Sequence, residues 1–164
     1  MQPLRTTGAD GATVARIALS VGQALTIVVI KAAGTAAQDM LYDLQQHTAY
    51  TSGTSADLDV INHYYLKDEV ALDNDETWAT LTQTAASEIT DAGAAGTSAE
   101  HEQILVIEVD GADLTEGYTH VSLNAAATIA NAQLATCIYL VHELRHQRKP
   151  PKLMNLLRPG AANA

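Results

Sequence analysis

The sequence predicts an all-β fold, an antiparallel β-sandwich or barrel followed by an extended C-terminal arm, and three observations lead there. Apolar residues recur at every second position in run after run. Clusters of Gly, Asp, Asn, Ser and Thr punctuate those runs. After His146 the chain becomes basic and proline-containing, a composition that continues neither strand nor helix. These boundaries give a sandwich domain over residues 1–146 and an arm over 147–164.

Taken in order, Leu25, Ile27 and Val29 share one face of a run whose other face is Thr26, Val28 and Ile30. That pattern fits a strand buried on both sides, or a central sandwich strand. Residues 33–46 carry two signals. Their Ala-rich start favours helix, whereas the alternation of Met40, Tyr42 and Leu44 favours strand, and strand is preferred from Met40 onward. Next, Leu58, Val60, Asn62, Tyr64 and Leu66 alternate with Asp59, Ile61, His63 and Tyr65. Residues 77–84 are rich in Thr around Trp78 and Leu81, which favours extended backbone. Residues 104–109 form a β-branched core strand, and runs over 118–123 and 135–144 complete the set. Turn clusters fall at 51–55, 73–75, 91–98 and 110–111, with a possible helical turn near Asp113 to Glu116. No repeat of solenoid length is visible.

A chain of 164 residues fits one domain with a sizeable core. Charged residues are only 17 %, below the usual quarter, which suits a surface that works inside an assembly. All 19 acids and four bases (Arg5, Arg16, Lys31 and Lys67) lie within residues 1–144, for −15; five bases and no acid follow, for +5. An acidic body repels phosphates and disfavours nucleic acid as the main partner. The basic tail suits a phosphate backbone or an acidic neighbour, including the body of another copy. A single cysteine, Cys137, excludes an intrachain disulfide, and its apolar surroundings point to a buried, inert thiol. The most apolar stretch, 24–30, is too short to span a bilayer, and the N-terminus has no signal pattern, so a soluble, unprocessed chain is expected.

One motif invites an enzymatic reading. His142-Glu143-Leu144-Arg145-His146 matches the zinc-protease signature, in which a helix brings two imidazoles onto one metal and Glu acts as general base. The preceding run of Thr, Cys, Ile, Tyr and Val is strand-like, and on a strand the two histidines stand roughly 13 Å apart at about 3.3 Å per residue. The residues after His146 offer no third ligand, and Pro150-Pro151 interrupts any helix. The match is therefore read as accidental, leaving a zinc hydrolase as a distant alternative. His47, His63, His101 and His120 have no metal-ligand spacing and are expected to be surface or partly buried hydrogen-bonding groups. The acids Asp68, Glu69, Asp73, Asp75 and Glu76 lack a calcium-loop arrangement and are read as a solvated loop. With no phosphate loop, nucleophile elbow or paired His/Cys arrangement, neither catalysis nor a cofactor is expected.

Several segments, in order, resemble the small structural proteins of tailed bacteriophages that are encoded near the major capsid protein. They are 27–36, 44–49, 63–67, 78–86, 97–100 with 105–110, Asp113-Leu114 before Gly117-Tyr118, and 132–140. The likeness extends over positions 25–146 and is one of order and texture. It implies a jelly-roll-like sandwich on the outside of an icosahedral head, a decoration (cement) protein clamping capsid subunits. The implied partners are the major capsid protein and further copies of itself, as dimer or trimer, with no membrane. Another minor head or tail protein, or a host-surface binding module such as a carbohydrate binder, is the alternative. This chain departs from the pattern in its basic arm. There Arg145, Arg148, Lys149, Lys152, Leu153, Met154, Leu156, Leu157 and Arg158 are the expected subunit or capsid contacts.

Overall fold

The computed structural model describes residues 2–3, 15–34, 40–73, 75–90, 100–126 and 134–143. The strands are β1 (Gln2–Pro3), β2 (Ile17–Ala18), β3 (Ala24–Lys31), β4 (Leu41–His47), β5 (Ser55–Asp57), β6 (Ile61–Glu69), β7 (Ala79–Ala86), β8 (Glu88–Ile89), β9 (Glu102–Asp110), β10 (His120–Ala126) and β11 (Ala135–His142). They form two antiparallel sheets. One has six strands in the order β1-β11-β3-β9-β6-β7; the other has the order β2-β10-β4-β5, with β8 also pairing β4. Most consecutive strands pass from one sheet to the other, the way Greek-key and jelly-roll sandwiches join their layers. Among the described residues no helix is long and apolar enough to cross a membrane.

The core lies between the sheets and takes every second residue. Leu25, Ile27 and Val29 of β3 and Leu105, Ile107 and Val109 of β9 face Tyr42 and Leu44 of β4 and Val121 and Leu123 of β10, all buried. Fully burying each such aliphatic side chain contributes about 1.5–3 kcal/mol, so this inner lattice carries the fold. The alternation on β3 places only one face in the core: Ile27 and Val29 are 0 % exposed, while Ile30 on the opposite face is 39 % exposed. The strand is thus a central sandwich strand and is not buried on both sides. Strand β4 follows its Met40, Tyr42, Leu44 alternation rather than the helical signal of its Ala-rich approach, because those three side chains fill the core.

Strand β6 departs from the expected alternation. Leu58, Ile61, Tyr64 and Leu66 are buried, whereas Asn62 is exposed. The change coincides with a break in the pairing to β7: Ile61 pairs with Ala86 but His63 pairs with Thr82, so the register shifts between them. Gln83 spans this irregularity, its Nε2 donating to the carbonyls of Ile61 at 3.0 Å and Glu88 at 2.9 Å. The helical turn falls earlier than expected, as a 3-10 turn at Gly111–Asp113 that shares only Asp113 with the expected segment; it is capped by Asp110, whose carboxylate accepts from the Ala112 amide at 2.8 Å. Strand β5 begins inside the segment read as a turn, because Ser55, Ala56 and Asp57 pair with His47, Gln46 and Gln45. The turn expected at 91–98 and the arm, 147–164, lie outside the described residues.

Candidate binding surface

A strand that turns one residue in two toward the core turns the rest outward, so each sheet of the sandwich also presents an outer face. The two outer faces differ in chemistry. On the smaller sheet, register places His120 beside His47 and Ser55, Ser122 beside Gln45 and Asp57, and Asn124 beside Asp43 and Glu88. Every one of these is polar. His47 sits at the centre of a hydrogen-bond chain, its Nδ1 2.8 Å from Ser55 Oγ and its Nε2 2.8 Å from Ser122 Oγ. Burial, then the Arg16 guanidinium and His120, lowers its pKa to about 4, so the ring is neutral at neutral pH. Burial, then the Asp57 carboxylate, raises the pKa of Asp43.

The outer face of the six-stranded sheet is apolar. One row runs straight across four strands as Ile138, Val28, Val106 and Tyr65. The next row, one pleat away, is Thr136, Ile30, Ile104 and Lys67. The row on the other side is Leu140, Thr26 and Glu108. Leu140 is 46 % and Ile30 39 % exposed, and the central row is half-buried. These eleven positions, at about 4.8 Å between strands and about 6.7 Å between rows, cover on the order of 400 Å², and seven of them are apolar. The seven apolar residues are contiguous, with Leu140 and Ile30 well exposed, and a band of that kind rimmed by polar residues is a candidate contact surface.

At the β11 end this face becomes an acidic groove lined by Thr26, Asn62, His63, Glu108, Asp110, Asp113, His142 and Glu143. The described residues hold three Lys or Arg side chains, all engaged elsewhere. Arg16 donates to the carbonyls of Ala49 and Ser52, Lys31 donates to that of His101, and Lys67 lies 3.9 Å from Glu76.

The residues of the zinc-protease match fall here too. His142 ends strand β11, with Nε2 2.9 Å from Thr26 Oγ1, and Glu143 adopts the left-handed backbone at φ 57°. The motif therefore begins on a strand, as its preceding composition indicates; His146 lies outside the described residues. The other histidines are hydrogen-bonding groups: His101 to Asp68, His63 to Asn62, and His120 to Thr119. Glu69, Asp75 and Glu76 each bring a carboxylate oxygen within 4.8 Å of the others, a grouping that also contacts Lys67 through Glu76. Burial pushes the Cys137 thiol up to about 12, consistent with an inert core cysteine.

The arm residues Arg145, Arg148, Lys149, Lys152, Leu153, Met154, Leu156, Leu157 and Arg158 lie outside the described residues. Sequence reasoning missed the apolar face as a site, although both residue sets of β3 are apolar in the sequence. Comparison with protein-family models, curated proteins and solved structures gives no match to this chain.

Proposed function

We propose that this chain is a non-enzymatic structural protein of a tailed-phage particle, which binds the outside of the capsid and stabilises it by linking neighbouring subunits. The observation that carries the assembly reading is the apolar outer face of the six-stranded sheet, centred on Ile138, Val28, Val106 and Tyr65. An enzyme that works alone gains nothing from such a face, whereas an assembly protein buries it against its neighbours. The low charge content supports the same reading. The placement on a phage head is supported by the ordered resemblance over positions 25–146 alone. Many copies on one shell add avidity to contacts that are individually modest.

The test is the particle itself. Particles purified from the genome that encodes this chain are expected to contain it in fixed stoichiometry, as outer density in a cryo-EM reconstruction. Its absence from purified particles would remove the reading. Stoichiometric zinc in the purified protein, lost on His142→Ala, would replace it with a hydrolase.

A further inference from the structure

We infer that the apolar outer face of the six-stranded sheet is the seat of residues 152–157 from a second copy of this chain, exchanged reciprocally in a dimer. The inference rests on reading that face as an assembly surface and names its partner; it does not depend on where the protein works.

Three features of the molecule point to this occupant. The first is charge. The acidic end of the face carries Glu108, Asp110, Asp113 and Glu143, all exposed, and the three described cations are engaged elsewhere. Residues 145–164 carry five bases and no acid, interleaved with Leu153, Met154, Leu156 and Leu157. Four apolar residues, Leu153, Met154, Leu156 and Leu157, set between Lys152 and Arg158 complement an apolar band ending in carboxylates.

The second is reach. Strand β11 delivers the chain to the acidic end of the face at His142. Nine residues, 143–151, precede Lys152 and span about 30 Å when extended. Pro150-Pro151 biases the stretch just before the apolar segment to extended backbone. That favours crossing to a neighbour over a tight reversal onto the same sheet.

The third is area. One hexapeptide on a band of about 400 Å² buries about 800 Å² in total, below the standard interface. Two symmetric contacts about a two-fold axis reach about 1,600 Å², the size of a stable one. Reciprocal exchange meets that requirement where a single contact does not.

The test uses the full chain in three forms: unmodified, Leu140→Lys on the exposed rim of the face, and the double variant Leu153→Asp/Leu156→Asp in the arm. Sedimentation equilibrium is expected to show a dimer for the unmodified chain that weakens with salt. Each variant is expected to raise the dissociation constant at least ten-fold, with circular dichroism and Tm unchanged. Mixing the two variants, differently tagged, is expected to give heterodimers through the one remaining arm–face contact, weaker than the unmodified dimer and tighter than either variant with itself. A monomeric unmodified chain overturns the inference. In that case a synthetic peptide of residues 147–164 that binds the arm variant but not the unmodified chain identifies the chain's own arm as the occupant. An arm variant as dimeric as the unmodified chain overturns it as well. If the face variant then fails to bind particles while the arm variant binds them, the assembly reading stands and only the arm is removed from it.

Discussion

At the scale of the residue, His47 links stability to pH. Its pKa is about 4 in the folded chain against 6.5 for the free side chain. Between those values the unfolded chain takes up a proton that the folded chain refuses, so stability is complete above pH 6.5 and falls as pH drops toward 4. Asp43, with its pKa raised, acts in the opposite sense and returns part of that loss as it protonates. Urea unfolding across this range is expected to show the decline, and His47→Gln is expected to flatten it. Gly111 is fixed by space: a Cβ there meets the Ser20 carbonyl oxygen at 2.0 Å, while its amide donates to Gln23 O at 2.8 Å. Backbone cannot yield as a flexible side chain does, so Gly111→Ala is expected to cost about 2 kcal/mol or more in denaturant unfolding. The Tyr139 hydroxyl accepts from the Leu123 amide at 3.3 Å, a bond from the core of one sheet to a strand of the other. Tyr139→Phe is expected to lower stability by about 1 kcal/mol.

At the scale of the element, agreement between sequence and structure depends on whether a strand's partner is regular. Strands β3 and β9 pair in unbroken register from Ala24 with Asp110 to Lys31 with Gln103, and their inward residues are those that the alternation marks. Ile107, with no exposure, is expected to cost about 2–5 kcal/mol as Ile107→Ala. Strand β6 breaks the rule where its pairing with β7 shifts register around Asn62, and nothing in residues 58–66 announces that. Since Gln83 bonds two carbonyls across the irregularity, Gln83→Ala is expected to increase hydrogen exchange at the β6–β7 pairing while leaving β3 and β9 protected. Short strands such as β5 were hidden for a related reason: Ser55, Ala56 and Asp57 have turn-forming composition, and only the edge of β4 draws them into a sheet.

At the scale of the whole molecule, the sandwich is asymmetric. One outer face is polar, with His47 bonded to Ser55 and Ser122 at its centre; the other is largely apolar and ends in carboxylates. A body of −15 with five bases gathered at one end means that any association among copies is expected to weaken with ionic strength. Removal of residues 147–164 is expected to leave the sandwich folded, since its core lies within residues 19–137, and to weaken association or particle binding. Circular dichroism combined with sedimentation separates the two effects.

By itself the sequence determined the all-β class, most of the inward residues, and the strand placement of His142, because period-two alternation and β-branched composition act within a single strand. It also determined the opposition of acidic body and basic arm, which is a matter of counting. Only the tertiary structure decided which apolar residues stay outside. Val28 and Ile30 read as core-worthy as Ile27 and Val29, and only one sheet packs against β3. Register with β9 and β11 then lines the surplus apolar residues into one band. Alternation along a strand is local, but a face is made by several strands at once, and that is why the apolar outer face could not be read from the chain.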